Sequence, residues 1–119
     1  MQIQASQTLA DIQKVFNDTY PYLKLEFFNK PHGVGDGSPK KDMMNTDLSI
    51  DECSSKEKSG NINIDSSVKA SEIEQSFMDV FGLSVQVFRL SGDVWLETTT
   101  TDNWTLEEQN QSGKERATV

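Results

Sequence analysis

The residues with the clearest potential for chemistry lie in a glycine-rich segment near the middle of the chain, at 29–41. Its candidate ligand-binding residues are His32, Gly33, Gly35, Gly37, Lys40 and Lys41. Closely spaced glycines allow several backbone N–H groups to face one anion, and a histidine beside lysines could bind an anionic ligand and transfer a proton. The segment lacks the GxxxxGK[ST] spacing of a phosphate loop, so its composition equally fits a plain flexible connection.

The rest of the chain contains few residues that could act in catalysis or bind a metal. Cys53 is the single cysteine and His32 the single histidine, which excludes an internal disulfide and leaves no ligand spacing for a zinc site. Cys53 could act as a nucleophile, but its sequence neighbours show no group that would activate it, and an inert thiol is more common. We therefore predict no catalytic residue, no metal and no cofactor, and an enzyme is the less favoured class of function.

The charge distribution disfavours nucleic acid as a partner. The 119 residues carry a net charge of -8, and bases balance acids up to residue 45, so the whole negative excess lies after that position. Nucleic-acid backbones bind clustered Lys and Arg, which such a surface lacks. The chain also shows no signal-peptide pattern and no apolar stretch of membrane-spanning length. These features predict a cytoplasmic protein that binds neither nucleic acid nor membrane.

The stretch 71–104 is expected to organise the fold. Its first part has the apolar spacing of an amphipathic helix, carried by Ile73, Phe77, Val80 and Phe81, and Gly82 suits the left-handed position that ends a helix. Two strands follow, at 83–90 and 94–99, and Gly92-Asp93 between them is typical of a two-residue hairpin turn. This turn sets Leu90 opposite Trp95 and Val87 opposite Thr98.

The N-terminal part has a similar organisation. A helix from Ser6, carrying Leu9, Ile12 and Phe16, ends before Pro21 and leads into a strand at 22–28. The spacing of Ile12, Phe16 and Tyr20 recurs in Ile73, Phe77 and Phe81. Either the chain contains an internal duplication, or the two units share only the apolar spacing common to helix-strand units.

Shorter elements complete the prediction. Residues 61–65 alternate polar and apolar in the manner of a half-buried strand, and a short helix or turn is expected at 48–53. Ser71 and Glu74 have capping-box spacing at the start of the organising helix, although Lys69 or Ser67 could equally be its boundary. Thr105 and Glu108 have the same spacing at the start of a C-terminal helix.

Together these elements predict an α+β fold, a two-layer sandwich in which a sheet of about four strands carries helices on one face. The arrangement is loosely ferredoxin-like, with a crossover from strand 61–65 through the organising helix to strand 83–90, and it has an additional C-terminal helix. We expect residues 1–119 to form one domain with a flexible middle segment at about 29–60.

Strand alternation leaves large apolar residues on the sheet face away from the helices. They are Tyr22, Phe28, Phe88, Leu90 and Trp95. Such a face requires a cover. The cover could be the C-terminal helix through Trp104 and Leu106, the middle segment, a second copy of the chain, or another protein. Base stacking in single-stranded RNA is disfavoured by the acidity.

The run 81–99, the run 102–110 and the loop 31–41 resemble a family of small uncharacterised bacterial proteins with no known activity. The resemblance implies a stand-alone bacterial cytoplasmic protein and supplies no cofactor or partner. The functional hypothesis is accordingly a small non-enzymatic protein-interaction or regulatory module, with homodimerisation through the sheet face as one form of it. The alternative is an enzyme or anionic-ligand binder that uses the loop at 33–41.

Overall fold

The computed structural model describes residues 1–29 and 42–117. Within them, short strands alternate with helices along the chain. The strands are β1 (Gln2–Ile3), β2 (Leu23–Phe28), β3 (Gly60–Asn61), β4 (Ser84–Ser91) and β5 (Val94–Glu97). The helices are α1 (Leu9–Thr19), α2 (Ile50–Cys53), α3 (Ala70–Phe81) and α4 (Leu106–Ala117). The chain therefore has the mixed α/β composition that its sequence predicts.

The larger sheet has the strand order β2-β4-β5, with both pairs antiparallel. Leu90 lies opposite Trp95, as predicted. The Thr98 N–H donates to the Val87 carbonyl at 3.2 Å, which confirms the second predicted pair. A single antiparallel bridge joins Phe28 to Met43 at the outer edge of β2. The predicted sheet of about four strands is thus not confirmed, because the sheet has three strands within the described residues.

The ferredoxin-like layout is not confirmed either. The strand predicted at 61–65 lies at Gly60–Asn61, where β3 pairs antiparallel with β1 in a separate two-stranded sheet. Ile62 continues this pairing, since its N–H donates to the Met1 carbonyl at 2.9 Å and its carbonyl accepts from the N-terminal amine at 2.7 Å. Pairing with β1 takes β3 away from β4, so the predicted crossover within one sheet is not formed.

The core lies between the sheet and the long helices. The face of β2 that carries Leu23, Leu25 and Phe27 is buried, and the cross-strand register places Val85 and Val87 on the same side. Helix α1 buries Leu9, Ile12 and Phe16, and α3 buries Ile73, Phe77 and Phe81. The rings of Phe27 and Phe77 meet edge to face, with centroids 5.6 Å apart. The apolar stripes read from the sequence therefore face the core as predicted.

The four helices begin in a similar way. Thr8, Ser49 and Thr105 each accept a hydrogen bond from the backbone N–H three residues later, as an N-cap does. In α3 the N-cap is Lys69, whose N–H donates to Glu72 at 3.1 Å. The predicted N-cap at Ser6 is therefore wrong, and of the boundaries considered for α3 Lys69 is confirmed, whereas the capping box of Ser71 with Glu74 is wrong. The Glu74 carboxylate instead reaches β4, as described below.

The helices also associate in equivalent pairs. The N-caps of α1 and α2 form an antiparallel bridge, and those of α3 and α4 form another. The Leu9 N–H donates to the Leu48 carbonyl at 2.9 Å, and the corresponding Ala70 N–H donates to Trp104 at 3.1 Å. The equivalent strands β1 and β3 pair antiparallel, and so do β2 and β4. The two halves of the chain thus share one geometry and are related by an approximate two-fold axis, which favours an internal duplication.

Gly82 ends α3 in the left-handed conformation, with φ of 67°, as predicted. A Cβ atom at this position would collide with the Ser55 hydroxyl. The backbone conformation and the close approach of the segment after α2 therefore both require glycine here.

Candidate functional site

The structure describes some of the predicted site residues. The candidate ligand-binding residues His32, Gly33, Gly35, Gly37, Lys40 and Lys41 lie outside the described residues. Of the predicted interaction surface, Tyr22, Phe88, Leu90 and Trp95 are half-buried, whereas Phe28 is only 2% exposed. Phe28 is therefore not part of an accessible surface, whereas the other four residues of the predicted face are partly accessible.

Lys24 covers part of this accessible face. Its ammonium lies 5.4 Å from the ring centroid of Phe88 and 4.9 Å from that of Trp95. It also lies 3.3 Å from a carboxylate oxygen of Glu26. Cation-π contacts at accessible sites contribute about 0.5–1 kcal/mol each. Lys24 therefore keeps the two rings in place on the sheet and adds a positive charge beside them.

Helix α4 does not cover Phe88 and Trp95 with its large apolar residues. Leu106 is fully buried in the main core. The Trp104 ring lies 5.4 Å from the guanidinium carbon of Arg89, and strand alternation places Arg89 on the opposite sheet face from Phe88. The predicted cover by Trp104 and Leu106 is therefore wrong for Phe88 and Trp95, although α4 lies against Tyr22 and Leu90 at Gly113.

The face of β5 on the helix side is also exposed, which the sequence reasoning missed. Val94 is 53% exposed, Leu96 44% and Trp104 37%. Leu96 lies directly opposite Arg89 on β4. The predicted alternation places Val94 and Leu96 correctly on the side of Val85 and Val87, but β5 lies beyond the area that α1 and α3 cover. Strand β5 therefore exposes Val94 and Leu96 on one face and leaves Trp95 half-buried on the other.

Arg89 has polar contacts beneath this surface. Its Nη1 donates to Gln109 at 2.6 Å and to Thr101 at 3.2 Å. Burial lowers the pKa of the guanidinium, and the nearby charge of Arg116 lowers it further. Arginine nevertheless stays protonated at physiological pH. Arg89 thus fixes the start of α4 against β4 and brings a positive charge next to Leu96 and Trp104.

The outer edge of β2 is closed by hydrogen bonds. The side chains of Asn17 and Gln13 donate to the carbonyls of Leu23 and Leu25, each at 2.8 Å. The Phe27 carbonyl accepts from a backbone N–H at 2.8 Å. A closed edge offers no template for another strand.

The part of β4 that extends past β5 is closed in a related way. The Glu74 carboxylate accepts from the Val87 N–H at 3.2 Å and from the Gln86 side-chain amide at 3.1 Å. Gln13 and Glu26 form the corresponding pair in the first half, with the amide and carboxylate exchanged between helix and strand. The same Gln–Glu pairing thus joins helix to strand in both halves.

The outer edge of β5 differs from these two edges. Because Val87 pairs with Thr98 through a hydrogen bond, the alternation of an antiparallel ladder directs the Trp95 N–H and C=O away from β4. Outside the β4–β5 ladder, the Trp95 backbone has no backbone hydrogen bond to another residue within 1–29 and 42–117. The candidate site, called the β5 surface below, consists of this edge and the exposed or half-buried apolar side chains around it: Phe88, Leu90, Val94, Trp95, Leu96 and Trp104.

Neither catalytic nor metal-binding groups converge in the described part of the chain. Cys53 is half-buried, its thiol donates to the Ser49 carbonyl at 3.1 Å, and burial raises the pKa of that thiol. A protonated, hydrogen-bonded thiol is a weak nucleophile. The described residues include no group of three or more His, Cys, Asp or Glu arranged to hold a metal ion.

Comparison with known proteins finds no matching protein family, no curated relative and no similar solved structure. Among the described residues, no helix is long and apolar enough to cross a membrane.

Proposed function

We propose that this protein is a non-enzymatic protein-interaction module and that the β5 surface is its contact site. The observation that carries the proposal is the exposure of Val94 and Leu96 on one face of β5 and the half-buried Trp95 on the other, beside a strand edge whose Trp95 backbone points outward. Natural proteins usually protect such an edge, because it can pair with another chain. Here side chains protect the edges of β2 and β4, and within the described residues no side chain protects Trp95 in that way.

The composition of the β5 surface supports the same proposal. Tryptophan and arginine are enriched at the energetically important positions of protein interfaces, and the surface combines Trp95 and Trp104 with Arg89. Lys24 and Arg89 place a positive charge on each side of β5 in a chain whose net charge is -8. A bacterial cytoplasm, in which the free thiol of Cys53 stays reduced, is the proposed setting.

Photo-crosslinking in cells that produce the protein tests the proposal. A photoreactive phenylalanine analogue replaces Leu96, and the matched control replaces Val15, an exposed valine on α1. The two positions are 44% and 41% exposed, so accidental collisions label them equally. We expect discrete adducts at position 96 and none at position 15. Equal labelling, or no adduct at position 96, would contradict an interaction at the β5 surface.

A further inference from the structure

We infer that the β5 surface binds a second copy of this chain, with the two β5 strands paired antiparallel about Trp95. This inference rests on the proposed function and specifies its partner. An antiparallel strand is complementary to itself, since a two-fold axis at one residue pairs the N–H and C=O of that residue with the same groups of its copy. Trp95 presents both groups outward from the edge. Pairing would join the two three-stranded sheets into one continuous sheet.

The side chains of β5 select this register. With Trp95 opposite its copy, Val94 lies opposite Leu96 of the second copy, and Leu96 lies opposite Val94. All three apolar residues of the strand then meet apolar residues. The Val94–Leu96 contact is a non-hydrogen-bonded pair, in which the Cα atoms approach to about 4.5 Å. A shift by one residue to a Leu96–Leu96 axis would place Trp95 opposite Glu97 and lose two of these apolar contacts.

The fold already uses this kind of association within one chain. Its two halves meet through the antiparallel pairing of equivalent strands, β2 with β4 and β1 with β3. Pairing β5 with its copy repeats the same geometry between molecules. Because β5 is only four residues long, we expect a small interface and therefore a weak dimer in exchange with monomer.

Charge sets the conditions for the dimer. The proposed register brings Asp93 opposite Glu97 of the second copy at both ends of the strand pair. Like charges that lie directly opposite on paired strands are destabilising. Salt therefore tightens the dimer, because each copy carries a net charge of -8, and Asp93→Asn, which removes both Asp93–Glu97 contacts between like charges, lowers the dissociation constant by about two- to threefold.

Disulfide trapping in purified full-length protein tests the pairing and its register. Cys53→Ser provides a background without thiols, and Val94→Cys and Leu96→Cys are made separately in it. Each variant is oxidised alone and as an equal mixture, with Val15→Cys as a control at a comparably exposed site. We expect the mixture to form a disulfide-linked dimer of one copy of each variant. Each variant alone should form little, because equivalent positions are not opposite each other in this register.

Four outcomes would overturn the inference. A linked dimer of Leu96→Cys alone would show the shifted register, and linkage no greater than that of Val15→Cys would show no strand pairing. A dissociation constant that Asp93→Asn leaves unchanged, measured by sedimentation equilibrium, would contradict the placement of the acids. If the purified protein stays monomeric while the photoreactive group at position 96 still forms adducts in cells, self-pairing fails and the interaction module stands with a different partner.

Discussion

Replacing Glu74 with alanine should destabilise the protein more than replacing Gln13, its counterpart in the first half of the chain. Glu74 is 7% exposed and accepts from the Val87 N–H and from Gln86, which is 0% exposed. Alanine would leave two buried donors without this acceptor. A buried polar group without a partner costs about 1–3 kcal/mol, so we expect a loss of about 2–5 kcal/mol in the free energy of unfolding.

Gln13→Ala provides the matched comparison. Gln13 is only half-buried, and the Leu25 carbonyl that it caps lies at an edge that water can reach once the side chain is gone. The expected loss is therefore close to that of an ordinary hydrogen bond, about 0.5–1.5 kcal/mol. Glu74→Gln keeps an oxygen that can accept from Val87 and should fall between the two alanine variants.

Urea unfolding followed by circular dichroism gives the free energies, with an unchanged m-value as evidence that the same surface unfolds in each variant. For a chain of this size the Glu74→Ala loss corresponds to a fall in Tm of roughly 10 °C or more. If Glu74→Ala loses no more stability than Gln13→Ala, the protection of the β4 edge by Glu74 is not what stabilises α3 on the sheet.

Three further predictions concern the rest of the chain. Gly82→Ala should lower stability more than Gly92→Ala. Both positions have positive φ, but a Cβ atom at Gly82 would collide with Ser55, whereas one at Gly92 meets nothing within 4 Å. Thermal unfolding of both variants checks this prediction, and equal losses of stability would contradict it. Burial raises the pKa of Cys53, so the thiol should be alkylated more slowly in the native protein than in the urea-unfolded protein near pH 8.5, and equal rates would refute this prediction. The same shift contributes to stability in full below the unfolded pKa, and this contribution is lost as pH rises through the folded pKa. Hydrogen bonds from the Thr105 backbone and side chain lower the pKa of Glu108, so the contribution of Glu108 to stability is full above the unfolded pKa and is lost as pH falls through the folded one. Thr105→Ala removes the side-chain bond and keeps the backbone bond, so it should raise that pKa part of the way in an NMR titration; an unmoved pKa would show that the Thr105 hydroxyl does not contribute to the shift.

The hairpin and the long helices could be predicted from sequence because their signals are local. Gly92-Asp93 fixes a two-residue turn, and alternation on either side then leaves one register consistent with the side-chain pattern. The stripe of Ile73, Phe77 and Phe81 likewise permits one buried face. These are the elements that position the β5 surface, and they were correctly predicted.

Other features depend on contacts between segments distant in sequence. Strands β1 and β3 are two residues each, too short for alternation to reveal, and they form only by pairing with each other. Glu74 matched a capping box in sequence, yet its carboxylate is needed at the edge of β4, a requirement that local spacing does not contain. Phe28 has the alternation of an exposed residue and is buried. The exposure of Leu96 follows from how far the helices extend over the sheet, which no local pattern gives.

Amide hydrogen exchange at Trp95 tests most directly whether the edge of β5 is an open contact site. The Leu96 amide faces β4 in the ladder and serves as the internal control. In dilute protein we predict rapid exchange at Trp95 and protection at Leu96. As the protein concentration rises, protection should appear at Trp95 and stay constant at Leu96. A Trp95 amide that is already protected in dilute protein, or that remains unprotected at every concentration, would contradict this account.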